Sequence, residues 1–152
     1  MTKRDFSSID TVVIHASATY PHQDIGTAEI RRWHLSRGWS DIGYHYVIDL
    51  AGKCQIGRPL ALQGAHVRGF NETSIGICYV GGLDEFGDAE DTINDAQLET
   101  ISQIVDRLCL SPHFNIKKLL GHRDFPGVSK ACPCFDVEEK FFPEITIHEL
   151  NQ

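Results

Sequence analysis

The run at 9–15, Ile-Asp-Thr-Val-Val-Ile-His, constrains the fold more than any other stretch of the chain. Its β-branched side chains suit a pleated strand, and it predicts a buried strand that ends on His15. Further strand-like stretches lie at 44–50, at a short segment reaching Ile56 after an Ala51-Gly52 turn, at 74–80, and at Leu119-Leu120. Two longer segments carry helical spacing instead. Thr27 is placed to cap a helix to about Arg37, with Ile30, Trp33 and His34 on one face and Gly38 as its stop. Asn94 with Gln97 is placed to cap a helix over 95–110, where Leu98, Ile101, Ile104, Val105 and Leu108 recur at helical intervals and Ser111-Pro112 ends the run. A last short helix is expected at 136–142, and the glycine-rich acidic stretch 81–95 reads as an exposed loop. Strands interleaved with helices define an α/β class: a single domain over 1–152, with a mixed central β-sheet flanked by helices.

A chain of 152 residues suffices for one hydrophobic core. The formal net charge of −7 argues against DNA binding, which needs a basic face for phosphates. No stretch approaches the roughly twenty apolar residues that span a bilayer. The polar start at 1–10 lacks the apolar core of a signal peptide, so synthesis in a cytoplasm is expected, with no membrane partner. Five cysteines, an odd count, argue against a disulfide framework. Cys54, Cys78 and Cys109 sit in apolar surroundings and read as small core residues. Cys132 and Cys134, in Lys-Ala-Cys-Pro-Cys, occupy a different setting.

Eight histidines invite a search for a metal site. His15 and His122 each follow an apolar strand, where an open sheet usually builds its ligand site. Cys132 comes ten residues after His122, through a loop holding Pro126, Gly127 and Pro133. Two imidazoles and a thiolate suit tetrahedral zinc with a fourth position left for water. Spacing alone leaves the bland alternatives open: a hydrogen-bonded histidine at a strand end, and a loop cysteine before proline.

The chain resembles the type 2 N-acetylmuramoyl-L-alanine amidases, the family that also contains the peptidoglycan recognition proteins. Within it the likeness is to the small amidase-type lysozymes of tailed bacteriophages. The likeness rests on Val-Ile-His-Ala-Ser-Ala-Thr at 13–19, Glu-Ile-Arg-Arg-Trp-His at 29–34 and Gly-Trp-Ser-Asp-Ile-Gly-Tyr-His-Tyr at 38–46. It continues with Gly-Ala-His at 64–66, Asn71 before Ser-Ile-Gly-Ile at 74–77, Gly-His-Arg-Asp at 121–124 and Lys-Ala-Cys-Pro at 130–133. These motifs run in family order over about 9–142.

The resemblance implies that His15, His122 and Cys132 bind one Zn2+ per chain. It also implies that Tyr44 and Lys130 assist catalysis, and that His45 and His66 line the cleft in a supporting or substrate-binding role. For His45 the competing reading is a strand residue facing solvent. The implied reaction is hydrolysis of the amide between N-acetylmuramic acid and L-alanine, with peptidoglycan or a muropeptide as partner and a monomer expected. In the chemistry so implied, Lys130 would stabilise developing negative charge, and Tyr44 would hydrogen-bond the attacking water or relay a proton, its phenol shifted by nearby cations. Two features depart from the family pattern. Cys134 stands where a small residue is usual, and Cys78-Tyr79 follow Ser-Ile-Gly-Ile where many cellular members carry a catalytic acid. Three functions are compatible with the resemblance: a phage or prophage endolysin, a cytoplasmic amidase that recycles muropeptides, and a non-catalytic peptidoglycan receptor. Receptors of this kind typically lose the cysteine ligand, and Cys132 is present.

Overall fold

A computed structural model describes residues 1–141. The 9–15 run forms β1 (Thr11–Ala16), and every one of its residues is buried. The chain continues through α1 (Thr27–Ser36), β2 (Tyr46–Ile48), β3 (Cys54–Ile56), β4 (Ser74–Tyr79), α2 (Asp95–Leu110), β5 (Lys118–Gly121) and α3 (Val137–Phe141). The five strands make one sheet in the order β3-β2-β4-β1-β5. All neighbours are parallel except the antiparallel β2–β3 hairpin, so the sheet is mixed, as the sequence implies. Among the described residues no helix is long and apolar enough to cross a membrane.

The two faces of β1 and β4 do different work, because successive side chains in a strand point to opposite sides. Val12, Ile14 and Ala16 of β1 and Ile75, Ile77 and Tyr79 of β4 join Ile101, Ile104, Val105 and Leu108 of α2 in the main core. The other face carries Val13 and His15 on β1, paired with Gly76 and Cys78 on β4. Ser74 lies on that face too, two residues before Gly76. The strands are buried on both sides, as expected for parallel pairing.

Local signals account for most helix ends. Asn94 Oδ1 accepts the Gln97 N–H at 2.8 Å and Gln97 Oε1 accepts the Asn94 N–H at 3.1 Å, a reciprocal cap worth about 1 kcal/mol. At α1 the cap differs from the expectation. Thr27 is the first helical residue, and Gly26 holds the cap position. Gln55 of β3 accepts the Thr27 N–H at 2.8 Å, and Glu29 accepts the Gly26 N–H at 2.8 Å. A side chain from another element thus satisfies the orphan N–H of Thr27 itself, which as the first helical residue donates at the helix start instead of capping it.

Three further expectations shift. The strand expected at 44–50 is regular only over Tyr46–Ile48, and of the helix expected at 136–142 the residue Phe142 lies outside the described residues. In the 81–95 loop Gly81 and Gly82 are buried, while most of the rest is exposed or half-exposed. All five cysteines are free; Cys78 is buried, whereas Cys54 and Cys109 are half-buried against the core.

Candidate metal centre and active site

Parallel pairing brings the two histidines together. β1 and β5 are registered with Ile14 opposite Gly121, so His122, the next residue, leaves the sheet beside His15. Their ring centroids lie 4.7 Å apart. The loop after His122 returns to the same place because three contacts hold it, one across its own base and two from the sheet. The Arg123 N–H donates to the Cys132 carbonyl at 2.8 Å, the Tyr79 hydroxyl donates to the Pro133 carbonyl at 2.7 Å, and the Ala16 N–H points at Cys132 Sγ from 3.2 Å. As a result, ligand atoms of His15, His122 and Cys132 all lie within 4.8 Å of one another. Cys132 Sγ is 3.9 Å from His15 Nδ1.

Behind this cluster stands a wall of imidazoles. His15, His45 and His66 are 1%, 1% and 9% exposed. His15 Nε2 lies 2.9 Å from His66 Nδ1, and His66 Nε2 lies 3.2 Å from Ser74 Oγ. His45 Nδ1 accepts the Gly76 N–H at 3.1 Å, so the ring proton sits on Nε2 and is donated to the Leu62 carbonyl at 2.9 Å. His45 therefore faces the interior, not solvent.

Burial holds the rings neutral, because a charged imidazolium loses its hydration there. It pushes His15 and His66 well below the ordinary histidine range, helped by neighbouring rings and, at His15, by Lys130. His45 is lowered to about 4, by burial first and then by Arg4 and Arg58. His122 is lowered by burial and by Lys130. Neutral imidazoles have a lone pair to offer a metal.

The other two residues singled out in the sequence border the cluster. The Tyr44 ring lies 5.1 Å from that of His15. Burial and the sulfurs of Cys78 and Cys132 raise its phenol well above the usual value, and this outweighs Arg37. The cations do not win here, contrary to the expectation from sequence; the phenol stays protonated and acts as a donor. Lys130 is exposed at the rim, and its charge is felt at His15, His122 and Cys132. The Cys132 thiol is pushed up to about 11, chiefly by burial, against the pull of the Ala16 N–H and Lys130. Sequence reasoning passed over Ser74 and Ala16. Both stand in family motifs, Ser74 in Ser-Ile-Gly-Ile and Ala16 in Val-Ile-His-Ala-Ser-Ala-Thr, but Ala16 acts through its backbone, which no side-chain pattern marks.

Three protein donors on an open sheet end, with a cation and a phenol beside them, form a site able to hold a metal ion and hydrolyse a polar bond. A family model described as N-acetylmuramoyl-L-alanine amidase matches residues 5–135. The endolysin of Klebsiella phage KP32 is 38% identical over 137 residues, 90% of this chain and 87% of that protein. The endolysin of Escherichia phage T7 is 37% identical over 131 residues, 86% of this chain and 84% of that one. Among solved structures, the N-acetylmuramoyl-L-alanine amidase endolysin LysCS from Clostridium intestinale URNW superposes with a TM-score of 0.75 at 25% identity, covering 93% of this chain and 86% of its own. The chain belongs to the N-acetylmuramoyl-L-alanine amidase family. Its activity is hydrolysis of the amide that joins N-acetylmuramic acid to L-alanine.

Proposed function

We propose that the chain is a zinc-dependent endolysin of a phage or prophage, in which His15, His122 and Cys132 hold one Zn2+. The observation that carries the zinc reading is the convergence of those three donors within 4.8 Å. Zn–N near 2.0 Å and Zn–S near 2.3 Å imply ligand separations of about 3.3–3.7 Å around a tetrahedral ion. The 3.9 Å from Cys132 Sγ to His15 Nδ1 needs little adjustment to reach that range. The Ala16 N–H aimed at Cys132 Sγ supports an anionic sulfur. The endolysin reading draws on the phage relatives, which match along most of their length.

An ion held by His15, His122 and Cys132 would supply Lewis acidity for a carbonyl oxygen and for a water molecule near neutral pH. The protein's own groups do the rest. Lys130 places a positive charge where the carbonyl oxygen becomes an oxyanion. Tyr44, kept protonated, donates a hydrogen bond to the tetrahedral centre. Of the two roles the resemblance implies for His45 and His66, supporting or substrate-binding, we take the supporting one, since their ring nitrogens face protein groups. The substrate is peptidoglycan or a soluble muropeptide, and the working unit is a monomer.

Purified protein should contain one zinc per chain and clear intact sacculi, leaving new muramic lactyl carboxylates and free alanine N-termini. New reducing sugar ends would instead mean a glycosidase. Activity confined to soluble anhydro-muropeptides would replace the endolysin reading with a recycling amidase. Binding of peptidoglycan without cleavage would make the chain a receptor.

A further inference from the structure

The face of β4 that looks toward the site carries three residues with little bulk: Ser74, Gly76 and Cys78. The His66 ring lies in the space they leave. A Cβ on Gly76 would come within 2.7 Å of His66 Cγ and Cδ2, and one on Gly64 within 2.8 Å of His66 Cδ2. The ring thus occupies a slot that only glycine leaves open on either side. Its backbone is fixed as well, because Asn71 Oδ1 accepts the N–H groups of His66 at 2.9 Å and Val67 at 2.8 Å. Such a cradle aims both ring nitrogens, one at His15 and one at Ser74.

The proton positions along this line follow from its far end. The Ser74 hydroxyl donates to the Phe70 carbonyl at 2.8 Å, and a carbonyl can only accept. The hydroxyl proton being used there, Ser74 Oγ meets His66 Nε2 with a lone pair, so that nitrogen bears the ring proton. His66 Nδ1 is then bare and accepts, which requires the proton of His15 to sit on Nε2. His15 Nδ1, the atom turned toward Cys132 Sγ, keeps its lone pair.

We propose that Ser74 and His66 are positioning residues that fix the tautomer of His15, through a one-directional chain running from the Phe70 carbonyl to the metal centre. This deepens the zinc reading and rests on it. A metal-binding histidine is commonly oriented by whatever accepts its other N–H, and removing such a partner costs about 10–100-fold in metal affinity. Here the acceptor is a second histidine, which would accept or donate with equal ease. Ser74 removes that ambiguity. Without its hydroxyl, His66 can turn its proton toward His15, and His15 then carries its own proton on Nδ1, where the metal must bind.

The test uses the full chain and two readouts other than turnover. Zinc affinity is measured by competition with a chromogenic chelator, and the histidine tautomers of the zinc-free protein by long-range ¹H–¹⁵N correlation. Wild-type protein should show His15 with its proton on Nε2. Ser74→Ala should bind zinc about tenfold more weakly and show His15 in mixed tautomers, and Ser74→Thr, which keeps the hydroxyl, should restore both. His66→Phe should lose closer to a hundredfold. Ser74→Ala with unchanged zinc affinity and an unchanged His15 tautomer would overturn the proposal. So would a wild-type His15 protonated on Nδ1, a result that needs no variant to fold. Wild-type protein that binds no zinc at all sinks the metal reading instead, whatever the tautomers show.

Discussion

The site is built from two halves that differ in almost every physical respect. The wall, from β1, β4 and the segment around His45 and His66, is buried, uncharged and internally hydrogen-bonded. The flank, residues 122–134, is a loop in which His122 and Cys132 are half-buried and Lys130 is exposed. The wall fixes where ring protons sit, and the flank brings the sulfur and the exposed charge. Preorganisation and electrostatic strength are thus supplied by separate parts of the chain. Changes in the flank should alter chemistry while leaving the fold intact, and changes in the wall should alter both.

The sharpest break is Cys132→Ser. We expect loss of bound zinc and a fall of about 10³-fold or more in sacculus clearing, because the three-donor set is gone. The Ser hydroxyl still accepts from Ala16, so the melting temperature should move by only a few degrees from that of zinc-free wild-type protein, about what 1 kcal/mol produces. A zinc-free variant with full activity would remove the metal from the mechanism. Lys130→Ala comes next: kcat should drop by about 10²–10³, with KM changed by less than about threefold, as for loss of an oxyanion donor. A raised KM with kcat unchanged would assign Lys130 to substrate binding. Tyr44→Phe tests a wall residue that reaches the chemistry without belonging to the donor set, and about a 10²-fold fall in kcat is expected at unchanged zinc content. A variant that also loses zinc would show Tyr44 to be part of the wall alone.

The same division explains what the sequence could tell. β1 was legible because its β-branched run is local, and so was the Asn94–Gln97 cap, whose partners lie three residues apart. The pairing that sets His122 beside His15 joins Ile14 to Gly121, and no local pattern encodes it. Spacing alone left the ligand set undecided, and family motifs were needed to pick out His15, His122 and Cys132. The α1 cap was misread for the same reason. Thr27 is a good local capper, yet Gln55, 28 residues on, reaches the helix start from β3. His45 also had no local signal for burial. β2 is an interior strand between β3 and β4, and the Leu62 carbonyl with Arg4 closes over the ring. Ser74 looked like an ordinary strand residue, because its role exists only once His66 is lying across Gly76.

The smallest expected effect tests whether the wall's neutrality extends beyond the metal cluster. His34 of α1 is buried against Trp39 and Tyr44, and its Nδ1 accepts the Gly43 N–H at 2.9 Å. Burial first, then Arg37 and Arg58, lowers it from 6.5 to about 4. The unfolded chain takes up a proton at this residue as pH falls below 6.5, and the folded chain does so only near 4. Protons bound in excess by the unfolded state make stability fall as pH falls, so the contribution is complete above 6.5 and is lost progressively down to about 4. Discounted for the partial solvent access of the ring, the loss is about 1–2 kcal/mol. His34→Gln offers Gly43 an acceptor and cannot charge, so its urea midpoint should vary less than that of wild-type protein between pH 7 and pH 4.5. The buried metal-cluster rings titrate in both proteins alike and drop out of the difference. Parallel curves for the two proteins across that window would show that His34 charges freely in the folded state, and that the dry, neutral environment ends at the metal cluster itself.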